Sequence, residues 1–440
     1  MRTEDILEYY GKKLDIPGMI VAVVNKEGMK IYPYGYADQK RKIEIEEDTL
    51  FEIASLSKAF TALVVFLLEE KQMISLDDSI IRYLNGLKLY LKNSGEDLTG
   101  KIQIRDLLYH TSGLEKEDIY IGNFSKRVKK TDLILKLNKH FLIERPGVKY
   151  EYSSINYVLL AMIVESITKI DFTEILAKTF KDMGLKNTYA DRKKAVSTGK
   201  MSCGYKIKFR RNRCHKCIDH KAEIASGYII SNIQDMIRWA MIQQGLVNDI
   251  PEEYKEAIKK SHIGDSGKEN HMNFYYAGGW HVHMRESRIM HMGNNPAFSS
   301  YIEIRPKSNS FVIVLINTNT LFTMKIADDI RRNRIKLNEM NNFKGVNESI
   351  DIFNTLICLI NVLLFFLEVT IVPVFTIFWF TIYICVGVGL LVQYAYINII
   401  RKINLKLALE WAAGSLKWSY ISYFFVGALK FYIFLITGCL

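Results

Sequence analysis

The 440-residue chain lacks several features that would assign it to a common class at once. Its first residues, Met1–Lys13, are charged and contain no unbroken apolar run, so they do not read as a secretory signal. Its six cysteines give no disulfide framework, because half of them lie in an apolar tail, where cysteine behaves as a small hydrophobic residue. The net charge is +12, yet basic and acidic residues are interleaved and no nucleic-acid recognition motif is present. We therefore expect no nucleic-acid partner, whereas anionic lipid headgroups would attract such a domain.

Charged residues are also missing from long stretches near the end of the chain. Neither Ile352–Leu367 nor Val369–Ile400 contains one, and a bilayer span needs about 20 apolar residues. Pro373 is a natural break between a first and a second span, and Lys430 weakens a third. A buried helical hairpin in a soluble protein is the alternative interpretation.

The predicted organisation therefore has three parts. A globular domain occupies residues 1–335 and a linker occupies 336–350. A membrane domain over 351–440 contains three transmembrane helices. These helices are predicted at about 352–372, about 374–397 and about 418–436.

Strand patterns stand at both ends of the globular domain, with helical patterns between them. This order predicts an α+β domain whose sheet unites N-terminal and C-terminal strands. The predicted strands are Ile16–Val24, Met29–Tyr34, Ala277–Met284, Ser299–Arg305 and Ser310–Asn317, and the predicted helices are Ser57–Glu70, Tyr157–Thr168, Thr173–Lys181 and Ile233–Gln244.

Ser55-Leu56-Ser57-Lys58 is the candidate catalytic segment of the domain. Residues three apart share a helix face, so the Ser55 hydroxyl and the Lys58 amine can meet. A serine hydroxyl becomes a good nucleophile when a nearby base takes its proton, and a lysine can serve if partial burial lowers its pKa. The same spacing recurs at Ser166 and Ser197, but only Ser55 begins a long apolar helix.

Around these residues the chain resembles the class C β-lactamase, DD-peptidase and esterase-like serine hydrolases. The resemblance extends from about Ile16 to Asn317 and implies an antiparallel sheet flanked by helices, with a helical subdomain. Its segments follow in family order: IPGMIVAVV, LFEIASLSKAFTA, ISLDDSIIRYL, IQIRDLLYHTSGL, RPGVKYEYSSINYVLLAMIVE, ASGYIISNIQDMIRWA and HMGNNPAFSS.

The resemblance implies a nucleophile, Ser55, with Lys58 as its partner and Tyr152 as the residue that shuttles protons. Ser154 stands where the family usually has asparagine, and this departure weakens the case for β-lactam turnover. His110 is expected to buttress a loop. No cofactor is expected.

The segment His291-Met292-Gly293 matches the third family motif, which is Lys-Thr-Gly or His-x-Gly. His291 replaces a permanent cation with a titratable donor. Gly293 lets a substrate backbone approach the strand edge. By the same resemblance, the backbone N–H groups of Ser55 and Asn294 form the oxyanion hole.

Cys203, Cys214 and Cys217 lie close together with His215 and His220. Cys-x-x-Cys with histidines offers zinc ligands, but a second such pair is absent and the intervening residues are basic. A structural zinc, a disulfide and a plain basic loop all remain open, and the prediction for metal is none.

The predicted function is a membrane-anchored serine hydrolase that cleaves amide bonds through an acyl-enzyme on Ser55. Its partners would be the lipid bilayer and a small peptide or acyl-amino-acid substrate. A catalytic domain with about three C-terminal spans resembles the membrane-bound peptidases that trim acyl-D-amino acid groups from peptide prodrugs. That likeness implies a catalytic domain on the extracytoplasmic face, although Arg401, Lys402 and Lys406 after the second span favour the cytoplasm. The alternatives are a slowly reacting penicillin sensor and an esterase.

Overall fold

The computed structural model describes residues 1–335 apart from 116–133, 135–136, 139–140, 209–210, 216–219, 265–268 and 271–272. The chain divides into two units, Met1–Lys336 and Leu337–Leu440. The second unit holds the three predicted membrane spans and lies outside the described residues. Within the part that is described, no helix is both long and apolar enough to cross a bilayer.

The helices are named here in chain order. They are α1 Thr3–Leu14, α2 Ser57–Glu70, α3 Ile104–Leu108, α4 Ser154–Thr168, α5 Phe172–Asp182, α6 Arg192–Ser197, α7 Ile224–Gly227, α8 Ile233–Gln243, α9 Glu252–Ser261 and α10 Thr323–Arg331. Short 3-10 turns occur at Ala54–Leu56, Ile80–Arg82, Thr99–Lys101, Lys221–Glu223 and Pro306–Ser308.

The strands are named in the same way. They are β1 Gly18–Asn25, β2 Gly28–Asp38, β3 Ile43–Glu44, β4 Phe51–Glu52, β5 Tyr90–Leu91, β6 Phe141–Leu142, β7 Gly204–Lys208, β8 Arg211–His215, β9 Ile230–Ser231, β10 Glu269–Asn270, β11 Phe274–Tyr276, β12 His281–His283, β13 Ile289–Asn294, β14 Ser299–Arg305 and β15 Ser310–Ile316.

The central sheet joins the beginning of the domain to its end. Among the described residues it has nine strands in the order β10-β11-β12-β13-β14-β15-β1-β2-β3. Strand β1 pairs antiparallel with β15, and Met19 lies opposite Ile316. The prediction of an α+β domain whose sheet unites N-terminal and C-terminal strands is confirmed.

Strands β1 and β15 are buried on both faces because helices cover both sides of the sheet. Ile20 and Leu315 belong to the main hydrophobic core, and α8 packs on that side against both strands. Val21 and Val314 point the other way and are also fully buried. On that second face α10 packs on β15, and the Tyr10 hydroxyl of α1 donates to Asp329 of α10 at 2.6 Å.

Helix α2 is the buried centre of the helical side of the domain. Every residue from Ser57 to Leu68 is buried, as expected for a helix that is apolar all round. It packs against α4, α5, α7 and α9. The predicted bounds of α2 match the observed ones, and a helix in this environment holds its first turn rigidly.

The predicted strand Ala277–Met284 is wrong at its beginning. Residues 277–280 form a turn between β11 and β12. Gly279 in this turn has a φ of +80°, and a Cβ atom there would lie 2.4 Å from the Cα atom of Ala59 in α2. The turn therefore rests directly on the helix that follows Ser55, and only glycine allows that approach.

Gly279→Ala tests this contact, with Gly199→Ala as its control. Gly199 has a similar φ of +75°, but a Cβ atom there would meet nothing within 4 Å, so alanine adds only backbone strain of about 1 kcal/mol. We expect Gly279→Ala to lower the free energy of unfolding by at least about 2 kcal/mol more, because backbone must move. Urea unfolding of the full-length chain in mild detergent measures both. Equal losses would contradict the close contact.

Candidate active site

Ser55 lies in a sharp turn that leads into α2. The preceding residue, Ala54, has a φ of +47°, which is uncommon for a residue other than glycine. The turn is held by Ser57, whose hydroxyl donates to the Ala54 carbonyl at 2.7 Å and accepts from the Ile229 N–H at 3.1 Å. As a result Ser55 is half-buried while Ala54 and Leu56 are buried. Its hydroxyl is thus presented at the surface of a rigid core.

Lys58 lies one helical turn after Ser55 and is 0% exposed. Its Nζ atom is 3.1 Å from Ser55 Oγ and 3.3 Å from Ser154 Oγ. It also donates to the Ser226 carbonyl of α7 at 2.7 Å. These three oxygens are uncharged, and they direct the amine at the Ser55 hydroxyl. The structure thus brings together three of the predicted site residues, Ser55, Lys58 and Ser154.

Tyr152 lies against the same amine. The Lys58 Nζ atom is 4.9 Å from the centre of its ring, and the His110 ring lies on Tyr152 with 4.3 Å between the centres. His110 Nδ1 accepts hydrogen bonds from the Ser153 N–H at 3.1 Å and from the Asn156 amide at 3.0 Å. His110 therefore fixes the loop that carries Tyr152 and leads into α4, as expected for a buttress.

Gly293 brings strand β13 against the turn of Ser55. A side chain at Gly293 would lie 2.6 Å from the Ile53 carbonyl and 3.0 Å from the Ala54 Cβ atom. A second bond crosses the same gap, because the Ser300 hydroxyl of β14 donates to the Ile53 carbonyl at 2.7 Å. Asn294 follows Gly293 in β13, the strand that packs against the turn Ala54–Leu56.

His291 is buried, and the residue is only 2% exposed. Its Nδ1 atom is 2.7 Å from the Met292 carbonyl, so Nδ1 carries the proton. Its Nε2 atom is 2.9 Å from the Tyr276 hydroxyl and accepts from it. Burial, then His281 and the nearby Lys58, hold the pKa of His291 well below its usual value. His291 is therefore a neutral group whose two nitrogens are both engaged inside the protein.

Three buried residues beside the site, Glu52, Asn295 and Tyr276, do not emerge as site residues from the sequence. Glu52 pairs with Arg192 and accepts from the Asn295 amide at 2.6 Å. Tyr276 holds His291. A signal is present for Glu52, because an acidic residue inside the apolar run Leu50–Ala54 needs buried partners.

The structure tests the alternatives for the cysteine segment, which are a zinc site, a disulfide and a basic loop, only in part. Cys203 and Cys214 carry free thiols, and burial is the main cause that raises the pKa of the Cys203 thiol to about 12. No group of three or more histidine, cysteine or acidic residues is arranged to hold a metal ion in the described ranges. Cys217, on which the zinc alternative also depends, lies outside those ranges.

Comparison with known proteins agrees with this geometry. The β-lactamase family model matches residues 3–335. The chain belongs to the β-lactamase family. Within this family of serine hydrolases it is 28% identical over 335 residues to protein flp of Staphylococcus aureus (strain N315), a match that covers 74% of the chain and 65% of that protein. The chain thus matches slightly less than two thirds of that relative's length.

Solved structures of the family show the same fold. A class C β-lactamase superposes with a TM-score of 0.63 at 22% identity, covering 75% of this chain and 94% of that one. The octameric penicillin-binding protein homologue from Pyrococcus abyssi gives a TM-score of 0.64 at 20% identity, covering 76% and 78%. The predicted β-lactamase and penicillin-binding-protein-like fold is confirmed.

Buried neutral histidines around the site predict a loss of stability in acid. Burial lowers the pKa of His281 to about 4, whereas the unfolded chain has a value near 6.5. Between those values the unfolded state binds more protons, so stability falls as pH falls below about 6.5. We expect His281→Gln to reduce the loss between pH 6.5 and 5 by up to about 2 kcal/mol. Urea unfolding at several pH values measures this loss, and an unchanged slope would argue against a neutral, partly buried His281.

Proposed function

We propose that the chain is a membrane-anchored serine hydrolase that cleaves amide bonds, of peptidase or D-amino-acid amidase type. The observation that carries the proposal is the fully buried Lys58 amine 3.1 Å from the Ser55 hydroxyl. A serine beside a base of this kind is an activated nucleophile. Membership of the family indicates a serine hydrolase, whereas the amide substrate is part of the proposal.

The reaction begins when the Lys58 amine takes the Ser55 proton and Oγ attacks the carbonyl carbon of the substrate. The oxyanion is bound by the backbone N–H groups of Ser55 and Asn294, and each such donor contributes about 3 kcal/mol. Tyr152 passes the proton from Lys58 to the leaving nitrogen as the C–N bond breaks. Water then attacks the acyl carbon while the same pair takes its proton. The C–Oγ bond breaks, the acid leaves, and the proton returns from the pair to Ser55 Oγ.

The neutral state of His291 favours one class of substrate over another. A permanent lysine cation would favour substrates that end in a carboxylate near β13, whereas His291 is neutral and faces Tyr276. Ser154 also replaces the usual asparagine and reaches less far with one hydroxyl. Both differences favour an uncharged group beyond the scissile bond, as in an internal amide, over a free terminal carboxylate.

The C-terminal residues supply the anchor in this proposal. The uncharged runs Ile352–Leu367 and Val369–Ile400 are long enough to enter a bilayer. With about three spans, and by likeness to membrane-bound peptidases, we place the catalytic domain on the extracytoplasmic face. Its partners are then the lipid bilayer and a small peptide or acyl-amino-acid substrate.

A fluorophosphonate probe tests the nucleophile. Attack of Ser55 Oγ on phosphorus forms a P–O bond and expels fluoride, so intact-protein mass rises by one adduct. We expect one adduct on the detergent-solubilised wild type and none on Ser55→Ala, with Ser57→Ala unsuitable as a control because its hydroxyl holds the turn. No adduct on folded wild type would refute the proposal.

Penicillin then distinguishes the hydrolase from the alternatives. A transient adduct, or none, agrees with an amidase, whereas an adduct that persists for hours would favour a slowly reacting sensor. Hydrolysis of simple esters without any amide turnover would identify an esterase instead. Mass spectrometry over a time course measures all three outcomes.

The Ser154 hydroxyl should support proton transfer through Lys58. Ser154→Ala removes one of the oxygens that orient the amine, and we expect labelling to slow by about 10-fold or more. Ser153→Ala is the matched control, because the buried Ser153 hydroxyl has no hydrogen-bond partner in the described part of the chain. Equal labelling rates for the two variants would contradict a role of Ser154 in proton transfer.

A further inference from the structure

Glu52 is a buried carboxylate placed three residues before Ser55, at the end of strand β4. It is 3% exposed, and burial, opposed by Arg192, raises its pKa. One carboxylate oxygen pairs with the Arg192 guanidinium of α6, and the other accepts from the Asn295 amide at 2.6 Å. A charge buried in a core is costly unless it is paired and hydrogen-bonded. The carboxylate therefore binds firmly to two segments that are distant in the sequence.

Asn295 lies directly after Asn294, and its side-chain orientation is fixed. Its Oδ1 atom accepts from the backbone N–H groups of Ala297 at 3.0 Å and Phe298 at 2.9 Å. The oxygen must face these donors, so the NH₂ group must face Glu52. The side chain thus closes the turn between β13 and β14 and joins that turn to Glu52.

The bond between Glu52 and Asn295 connects the two halves of the proposed oxyanion hole. Ser55 belongs to the segment of Glu52, and Asn294 belongs to the segment of Asn295. Hydrogen-bond donors stabilise an oxyanion only when they are held at the right place before the reaction. We propose that Glu52 is a positioning residue for acyl transfer, which through Asn295 fixes the Asn294 N–H relative to the Ser55 N–H. This inference rests on the proposed function.

Exchanging the hydrogen-bond donor and acceptor between positions 52 and 295 tests the bond between Glu52 and Asn295. In Glu52→Gln the amide oxygen can stay with Arg192, but its NH₂ group then meets the NH₂ group of Asn295. Adding Asn295→Asp turns that donor into an acceptor, keeps an oxygen for Ala297 and Phe298, and restores the hydrogen bond with its direction reversed. Rescue by this exchange would assign the effect to the hydrogen bond between the two side chains, and not to the loss of either group alone.

The readout is the second-order rate constant for fluorophosphonate labelling of Ser55 in the full-length protein. We expect Glu52→Gln to react at least about 10-fold more slowly than wild type, since one displaced oxyanion donor costs about 100-fold or more. The double variant Glu52→Gln/Asn295→Asp should recover to within about 3-fold of wild type, as a restored pair does in a double-mutant cycle.

The control is Asp329→Asn on the far face of the sheet. Asp329 is also a buried carboxylate with one cation and one neutral donor, Lys325 at 2.6 Å and Tyr10 at 2.6 Å. We expect this variant to lose stability but to label at the wild-type rate. Should Glu52→Gln fail to fold, Asn295→Ser replaces it, because serine keeps an acceptor for the turn but cannot reach Glu52.

The outcomes separate this inference from the proposed function. Slow labelling of Glu52→Gln with rescue by Asn295→Asp supports it. Labelling of Glu52→Gln at the wild-type rate, or slow labelling without rescue in a folded double variant, overturns it and leaves Ser55 as the nucleophile. Absence of label on wild type overturns the proposed function and this inference together.

Discussion

The close approach of strand β13 to the turn at Ser55 is the constraint on which the rest of the site depends. Gly293 permits it, because any side chain there would overlap the Ile53 carbonyl. The Ser300 hydroxyl bonds to that same carbonyl across the gap. A second glycine, Gly279, allows the turn after β11 to rest on α2. The sheet therefore holds the first turn of α2 at two glycine contacts, and the serine and its lysine are fixed between them.

Lys58 and Glu52 lie at equal distances in sequence on either side of Ser55, yet their surroundings differ. The Lys58 amine has uncharged oxygens from Ser55, Ser154 and Ser226, whereas the Glu52 carboxylate is paired with Arg192. A carboxylate bonded to the lysine would hold the proton on the amine. With its charge matched by Arg192, the Glu52 carboxylate is engaged away from the lysine and can orient the backbone.

Local patterns in the sequence predict much of this arrangement. Helix α2 is predictable to the residue because it is apolar on every side. The order of strands and helices predicts a sheet that unites N-terminal and C-terminal strands. The spacing of Ser55 and Lys58 predicts their contact. The approach of Ser154 and Tyr152 to Lys58, by contrast, follows only from family resemblance, since that contact joins α2 to α4 across nearly a hundred residues. The hydrophobic periodicity of a single sequence does not indicate such a long-range contact.

His291 shows why other features of the site cannot be predicted from the sequence. Its motif predicts a titratable donor at the site, but the structure buries the ring and gives Nε2 to Tyr276. That partner comes from β11, two strands away, and the turn at 277–280 that brings it there carries the pattern of a continuous strand. A histidine whose charge is suppressed by burial has lost the feature that motif matching assigns to it. The electrostatic character of this site, and with it the class of substrate, is therefore decided by tertiary packing around a residue whose identity the sequence already displays.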